Sequence, residues 1–168
     1  EYSANVNFFP AYNGGPGNDK GNVPPVPGAM KDWVIELLQH DTDLKQFEIW
    51  NEYEIYPTGF WQGTPEHMAR CMREGREAIQ QVRPSVRLLW PGMVNWDYSN
   101  PTQPFSNWIE LGMASDGAGG QARDHVNGFG HHLYPSPGVN TVGLATYLRK
   151  VQVSMDQLGK GSQPKYMT

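Results

Sequence analysis

An amide and a carboxylate side chain stand together at the end of an apolar segment. Asn51 and Glu52 directly follow Phe47-Glu48-Ile49-Trp50. The aromatic and β-branched residues of that segment suit a buried strand, whereas an unpaired buried carboxylate is costly. We therefore expect the strand to end here, with Asn51 and Glu52 facing a site in which Glu52 acts as a general acid or base. The alternative is that Glu52 is a solvated loop residue.

A second group of candidate residues lies in the segment 126–135, which contains two adjacent histidines. Side chains alternate between the two faces of a strand. This alternation puts Gly130, His132 and Tyr134 on one face and His131 on the other. His132 and Tyr134 can therefore share the side that faces a site, and Gly130 allows a close approach of another group to the backbone.

Both segments resemble motifs of clan A glycoside hydrolases, which are retaining enzymes on a (β/α)8 barrel. Trp50-Asn51-Glu52 resembles the fourth-strand motif, most of all that of the β-xylosidase and α-iduronidase family or its cellulase-like relatives. The resemblance implies that Glu52 is the general acid/base and that Asn51 bonds the 2-hydroxyl of the sugar. His132 and Tyr134 resemble the clan's His-x-Tyr at the sixth strand, where the Tyr contacts the nucleophilic carboxylate and the His helps to hold the sugar.

The resemblance also implies a nucleophilic Glu at the end of the seventh strand. The segment 165–168 resembles the approach to that position, so we expect the nucleophile within one or two residues after Thr168. A complete barrel has about 250 residues, and this chain has 168. We therefore expect one glycosidase-type barrel domain over residues 1–168 that is incomplete at both ends and contains about strands three to seven. Such a segment alone would leave sheet edges unpaired, and we expect it to be inactive and prone to aggregate.

The order of predicted elements supports a parallel sheet. Five strands alternate with four helices, which implies parallel strands joined by helical crossovers and an α/β fold. The clearest helix begins at Thr64, a good N-cap that Pro65 follows. The predicted strands are 6–10, 45–52, 86–90, 126–135 and 163–168, and the predicted helices are 29–39, 64–82, 104–113 and 140–158.

Aromatic residues after the predicted strands are candidates for sugar binding. Aromatics make up 12% of the chain, which has six Trp, and flat aromatic faces suit sugars as well as ordinary cores. Trp90 and Trp96 lie at or after the end of one strand. Trp61 belongs to the aromatic loop 53–63 that follows Glu52, which forms either a stacking wall or a loop that packs its own aromatics.

Composition excludes several partners. The net charge is −4 with no basic stripe, which argues against nucleic acid. Cys71 is the only cysteine, so no intrachain disulfide is possible and the redox compartment stays open. No apolar run approaches the roughly 20 residues of a membrane helix. We expect a carbohydrate substrate and no cofactor. Because enzymes that degrade polymers are usually secreted, we also expect an extracellular or periplasmic location.

Three functions follow from these residues. The first is an enzyme, a retaining O-glycoside hydrolase that cleaves β-linked glycosides or polysaccharides. The second is a carbohydrate-binding barrel protein without catalysis. The third is a metal-dependent α/β hydrolase that uses His125, His131 and His132, although zinc sites usually have three or four ligands and no helical His-x3-His is present.

Overall fold

The computed structural model describes residues 3–6, 23–50, 61–94, 99–132 and 141–167, with the backbone alone for 3–6, Val94 and Met167. Five strands and four helices alternate along these residues, with a short 3-10 helix before the fourth strand. The elements are β1 (Ser3–Val6), α1 (Ala29–His40), β2 (Gln46–Ile49), α2 (Pro65–Val82), β3 (Arg87–Val94), α3 (Ser106–Met113), the 3-10 helix (Ala122–His125), β4 (Gly128–His132), α4 (Thr141–Gln157) and β5 (Lys165–Met167).

The five described strands form one parallel sheet in the order β1-β2-β3-β4-β5. Each strand pairs with the next strand in sequence, so the sheet is wound in a single direction. A doubly wound sheet would instead reverse its strand order at one point. The α/β class and the parallel crossovers predicted from the sequence are confirmed, and the described strands form an open sheet.

One face of the sheet packs against helices through an apolar core. Ile49 and Leu88 contact α2 at Gly75, where an added methyl group would overlap the end of the Ile49 side chain. Farther along the sheet, Trp90 stacks on Phe129 with ring centroids 4.9 Å apart. Alternate residues of β2, β3 and β4 therefore face the helices, and the residues between them face the opposite side.

Helix α2 begins as the sequence predicts. The Thr64 hydroxyl accepts a hydrogen bond from the His67 amide at 3.4 Å, and Nδ1 of His67 accepts one from the Thr64 amide at 3.1 Å. Pro65 occupies the first helical position. At the other end, the Arg83 guanidinium donates to backbone carbonyls at the end of α1 and the turn after it, including those of Leu38 and Asp41. Arg83 thereby satisfies carbonyls that the end of α1 leaves without helical partners.

The third strand is longer than predicted. The sequence predicted an end at Trp90 because Pro91-Gly92 follows, but β3 continues to Val94. The register shifts between Trp90 and Met93, with one more residue on β3 than on β4. This shift is a β-bulge, and a bulge tolerates proline because one residue there makes no regular ladder bond.

Two segments differ from or add to the predicted elements. The first strand, Ser3–Val6, begins three residues before the predicted strand 6–10, and residues 7–10 lie outside the described residues. The glycine-rich turn 115–120 is tied down by the side chain of Asp116, which accepts amide hydrogen bonds from Ala118 at 2.7 Å and Gly120 at 3.0 Å. Sequence analysis also missed the 3-10 helix that follows this turn.

The Asp116 carboxylate also contacts Nε2 of His125 at 2.8 Å. Burial alone would raise the pKa of Asp116, but the amide hydrogen bonds from Ala118 and Gly120 and the contact with His125 outweigh it and lower the pKa. The turn is therefore held by a carboxylate that stays charged.

None of the described helices is long and apolar enough to cross a membrane.

Candidate functional site

The face of the sheet opposite the helices carries polar side chains. Near the amino ends of the strands, the Arg87 guanidinium donates to the Tyr166 hydroxyl at 2.7 Å and to Oε1 of Gln46 at 3.4 Å. These three residues come from β3, β5 and β2, so their hydrogen bonds extend across four neighbouring strands. They form a polar layer at the end of the sheet where the strands begin.

A second polar layer lies closer to the carboxyl ends. Oε2 of Glu48 on β2 lies 3.7 Å from Nε2 of His132 at the end of β4. Both residues are buried, with 1% and 5% of their surface exposed. The distance is longer than that of a direct hydrogen bond. This contact joins strands that are not neighbours, since β3 lies between them.

Two glycines make room for this contact. At Gly130, directly below the carboxylate, an added Cβ would overlap Oε1 of Glu48. At Gly92, in the bulge of β3, an added Cβ would overlap the His132 ring and lie 2.8 Å from Oε2 of Glu48. Gly130 and His132 therefore occupy the same face, as the alternation predicted, and the glycine at 130 permits the close approach expected of it.

The neighbouring His131 faces the other way. Its ring lies 5.7 Å from the ring of Tyr147 on α4, and its buried Nδ1 has no hydrogen-bond partner among the residues that the structure describes. Burial, followed by the nearby charge of His132, lowers the pKa of His131 to about 4. His131 is therefore a neutral residue of the helix-facing layer near neutral pH.

This burial predicts a specific loss of stability in acid. The unfolded chain protonates His131 below about pH 6.5, while the folded state resists protonation until about pH 4. The free energy of unfolding is therefore highest above pH 6.5, where both states hold His131 neutral. It decreases as the pH falls towards 4, by about 3 kcal/mol in all. Chemical unfolding of the full-length protein between pH 8 and 4 will measure it.

The variant His131→Gln isolates this effect, because glutamine does not titrate. We expect the unfolding free energy of the wild type, relative to that of the variant, to decrease as the pH is lowered from 8 to 4. The exposed His40 at the end of α1 supplies the matched control, His40→Gln. A pH-independent difference for His131→Gln would show that His131 titrates normally in the folded protein.

The three histidines of the metal hypothesis do not converge. His125 contacts Asp116, while His131 and His132 point to opposite faces of β4. Within the described ranges, no group of three or more His, Cys, Asp or Glu side chains is arranged to hold a metal ion. The geometry therefore gives no support to a site built from these three residues.

The backbone is strained where β2 leads into the predicted catalytic pair. Trp50, directly after β2, has a φ of 74°, and it is the only non-glycine residue with positive φ among those described. Such a conformation costs about 1–3 kcal/mol and persists only when packing imposes it. The indole of Trp50 is buried and meets that of Trp61 edge to face at 4.7 Å. Strain of this kind is typical of functional sites.

The structure describes part of the predicted site. His132 lies at the carboxyl end of β4, on the face opposite the helices that the alternation predicted, and its role in holding a sugar stays a prediction. Four predicted residues lie outside the described ranges, and their roles stay predictions: Asn51, Glu52, Trp96 and Tyr134. Gln46, Arg87, Gly92 and Tyr166 were not singled out from the sequence. The alternation of Gln46 and Glu48 with Phe47 and Ile49 is the pattern that could have indicated a polar inner face.

Trp90 and Trp61 do not have the positions that sugar stacking requires. Trp90 is 0% exposed and Trp61 is 1% exposed. Trp90 packs against Phe129, and its Nε1 donates to the sulfur of Met93 at 2.9 Å. A sugar needs an exposed aromatic face, so this burial argues against the predicted platforms and assigns both indoles to the core. A tryptophan near a strand end can face either way, and here alternation from Leu88, which contacts α2, places Trp90 on the helix side beside Phe129.

Neither a protein-family model nor a curated protein sequence matches this chain. Among solved structures, the chain is similar to the catalytic domain of GH30 xylanase C from Talaromyces cellulolyticus, with a TM-score of 0.56 and 12% sequence identity. The match covers 79% of this chain and 32% of that chain. At this identity the likeness shows the fold alone. The chain has a parallel α/β fold similar to part of a glycoside hydrolase catalytic domain.

Proposed function

We propose that this chain is part of a retaining O-glycoside hydrolase on a (β/α)8 barrel and that it acts on β-linked glycosides or polysaccharides. Glu52 is the general acid/base, and Asn51 bonds the 2-hydroxyl of the sugar. His132 helps to hold the sugar, and Tyr134 contacts the nucleophile, a Glu expected just after Thr168. These roles come from the resemblance of the two sequence motifs to clan A enzymes.

The observation that carries the proposal is the placement of His132. It lies at the carboxyl end of a strand, on the polar face of the sheet, two strands away from the segment that leads to Glu52. Catalytic residues of α/β barrels occupy this end of the strands. The strained Trp50 directly before Asn51-Glu52 and the fold likeness to a xylanase catalytic domain give further support.

The chemistry needs two carboxyl groups about 5–5.5 Å apart in a retaining enzyme. One carboxyl group protonates the leaving oxygen while the other attacks the anomeric carbon and forms a glycosyl-enzyme. The first group then takes a proton from water, which attacks the same carbon and releases the nucleophile. Two displacements at one carbon restore the original anomeric configuration.

The stereochemical outcome therefore tests this proposal. The full-length protein is incubated with soluble xylan, soluble β-glucan and aryl β-glycosides, and NMR follows the anomeric proton of the first product. We expect a β-configured product that later mutarotates. An initial α product would show an inverting mechanism, and sugar binding without hydrolysis would favour the binding-protein hypothesis.

A further inference from the structure

Glu48 is a carboxylate buried in the middle of the sheet. Glu48 occupies a strand in which all four residues are buried, and only 1% of its surface is exposed. Removing a carboxylate from water is expensive unless partners compensate it, and an apolar residue of similar size often gives a more stable protein. A role other than stability would account for this carboxylate.

The surroundings of Glu48 are shaped to bring it to His132. The side chain passes across β3 at Gly92 and reaches β4 at Gly130, and a Cβ at either glycine would overlap the carboxylate or the imidazole. The bulge between Trp90 and Met93 accompanies Gly92. Bulges commonly re-aim side chains next to active sites. Two glycines and a bulge thus clear one path between Glu48 and His132.

The histidine is held from two directions. Its carbonyl oxygen accepts a hydrogen bond from the Tyr147 hydroxyl at 3.3 Å, which fixes the backbone at the end of β4. Its ring faces Oε2 of Glu48 through Nε2 at 3.7 Å, which favours one orientation of the imidazole. A carboxylate behind a functional histidine fixes its ring orientation and tautomer.

We propose that Glu48 is a positioning residue that orients the His132 imidazole for contact with a sugar hydroxyl. The inference rests on the proposed glycosidase function. Glu48 acts through His132 and does not itself touch the substrate. Catalytic contacts are often long in a protein without substrate and tighten in the complex, so the distance of 3.7 Å is expected to shorten when a sugar engages the histidine.

A double-mutant cycle tests this role in the full-length protein. The variants are Glu48→Gln, which keeps the shape and removes the charge, His132→Gln, and the two combined. We expect Glu48→Gln to lower kcat/KM about 10- to 100-fold, the range known for carboxylates that orient metal-binding histidines. In the His132→Gln background the same change should have almost no effect, because no imidazole remains to be oriented.

A structural role would give a different result. If Glu48 only supports the fold, its replacement costs the same factor with and without His132, and additive effects overturn the inference. The matched control is Glu74→Gln, because Glu74 is also buried but bonds Arg70 and the Gly28 amide on the helix side. Its effect should be the same in both backgrounds.

The same experiment separates this inference from the proposed function. If Glu52→Gln leaves hydrolysis unchanged, the acid/base assignment fails while the cycle still decides the role of Glu48. If the wild type does not hydrolyse the panel, the cycle is measured on the Kd for xylo- and gluco-oligosaccharides. Additive effects on Kd, or no binding at all, overturn the positioning role.

Discussion

Replacing Glu52 with Gln in the full-length protein is expected to lower kcat/KM about 10²- to 10⁴-fold on natural β-linked polysaccharides, which is the usual contribution of a general acid or base. The amide cannot protonate the leaving oxygen, so the loss should grow as the leaving group becomes a poorer one. The aryl groups of activated aryl β-glycosides leave without being protonated. The rate of the first chemical step on these substrates should therefore be largely retained. Initial rates across a series of aryl leaving groups will give this dependence.

The neighbouring Glu54 provides a control of the same chemical type two residues away. Glu54→Gln should change kcat/KM by a few-fold at most, because we expect a rim position for it. Azide offers a second measurement with Glu52→Ala, since it can attack the glycosyl-enzyme, displace the nucleophile and form a β-glycosyl azide without a general base. Equal losses on all leaving groups, with no azide product, would assign Glu52 a role other than acid/base.

Replacing Gly130 with Ala is expected to destabilise the protein and to disturb the site at the same time. The new methyl group would overlap Oε1 of Glu48 and lie 3.2 Å from the carbonyl oxygen of Trp90. Overpacking of a buried position costs about 1–3 kcal/mol, and the displaced carboxylate also loses its contact with His132. The free energy of unfolding, measured with denaturant, and the kcat/KM of the full-length protein should both decrease.

A second substitution identifies the cause of that loss. Glu48→Ala removes the carboxylate and leaves space for the methyl group, so Gly130→Ala should cost less in this background than in the wild type. Gly128→Ala is the matched control on the same strand, because the Cβ there would meet Tyr166 and Leu89 rather than Glu48. Its cost should not depend on residue 48. Equal costs for Gly130→Ala in both backgrounds would disprove the steric conflict.

The sequence predicts the helices and strands of this fold better than it predicts the contacts between them. Helix α2 is marked locally by Thr64 and Pro65, and its bounds in the structure agree with the prediction. The alternation in β4 correctly separates His131 from His132, because a strand has a period of two. These predictions depend on residues close together in the chain.

Contacts between distant residues could not be predicted in this way. The approach of Glu48 to His132 joins residues 84 positions apart in sequence. It also depends on the absence of a side chain at Gly92 and Gly130. The burial of Trp90 depends on Phe129 of β4 and Trp108 of α3, which lie 39 and 18 residues further along the chain. The sequence indicated an aromatic residue near a strand end but not the face on which it lies.

The contact between Trp50 and Trp61 has a consequence for how this protein could be engineered. The two indoles stand on either side of the ten residues 51–60 and meet at 4.7 Å. The entropic cost of closing a loop grows only slowly with its length, and this ring contact holds Trp50 and Trp61 together at the two ends of the segment. Lengthening residues 53–60 is therefore expected to cost little stability as long as both indoles are kept. Under the proposed function this segment follows the acid/base Glu52, so exchanges within it are expected to change substrate selectivity.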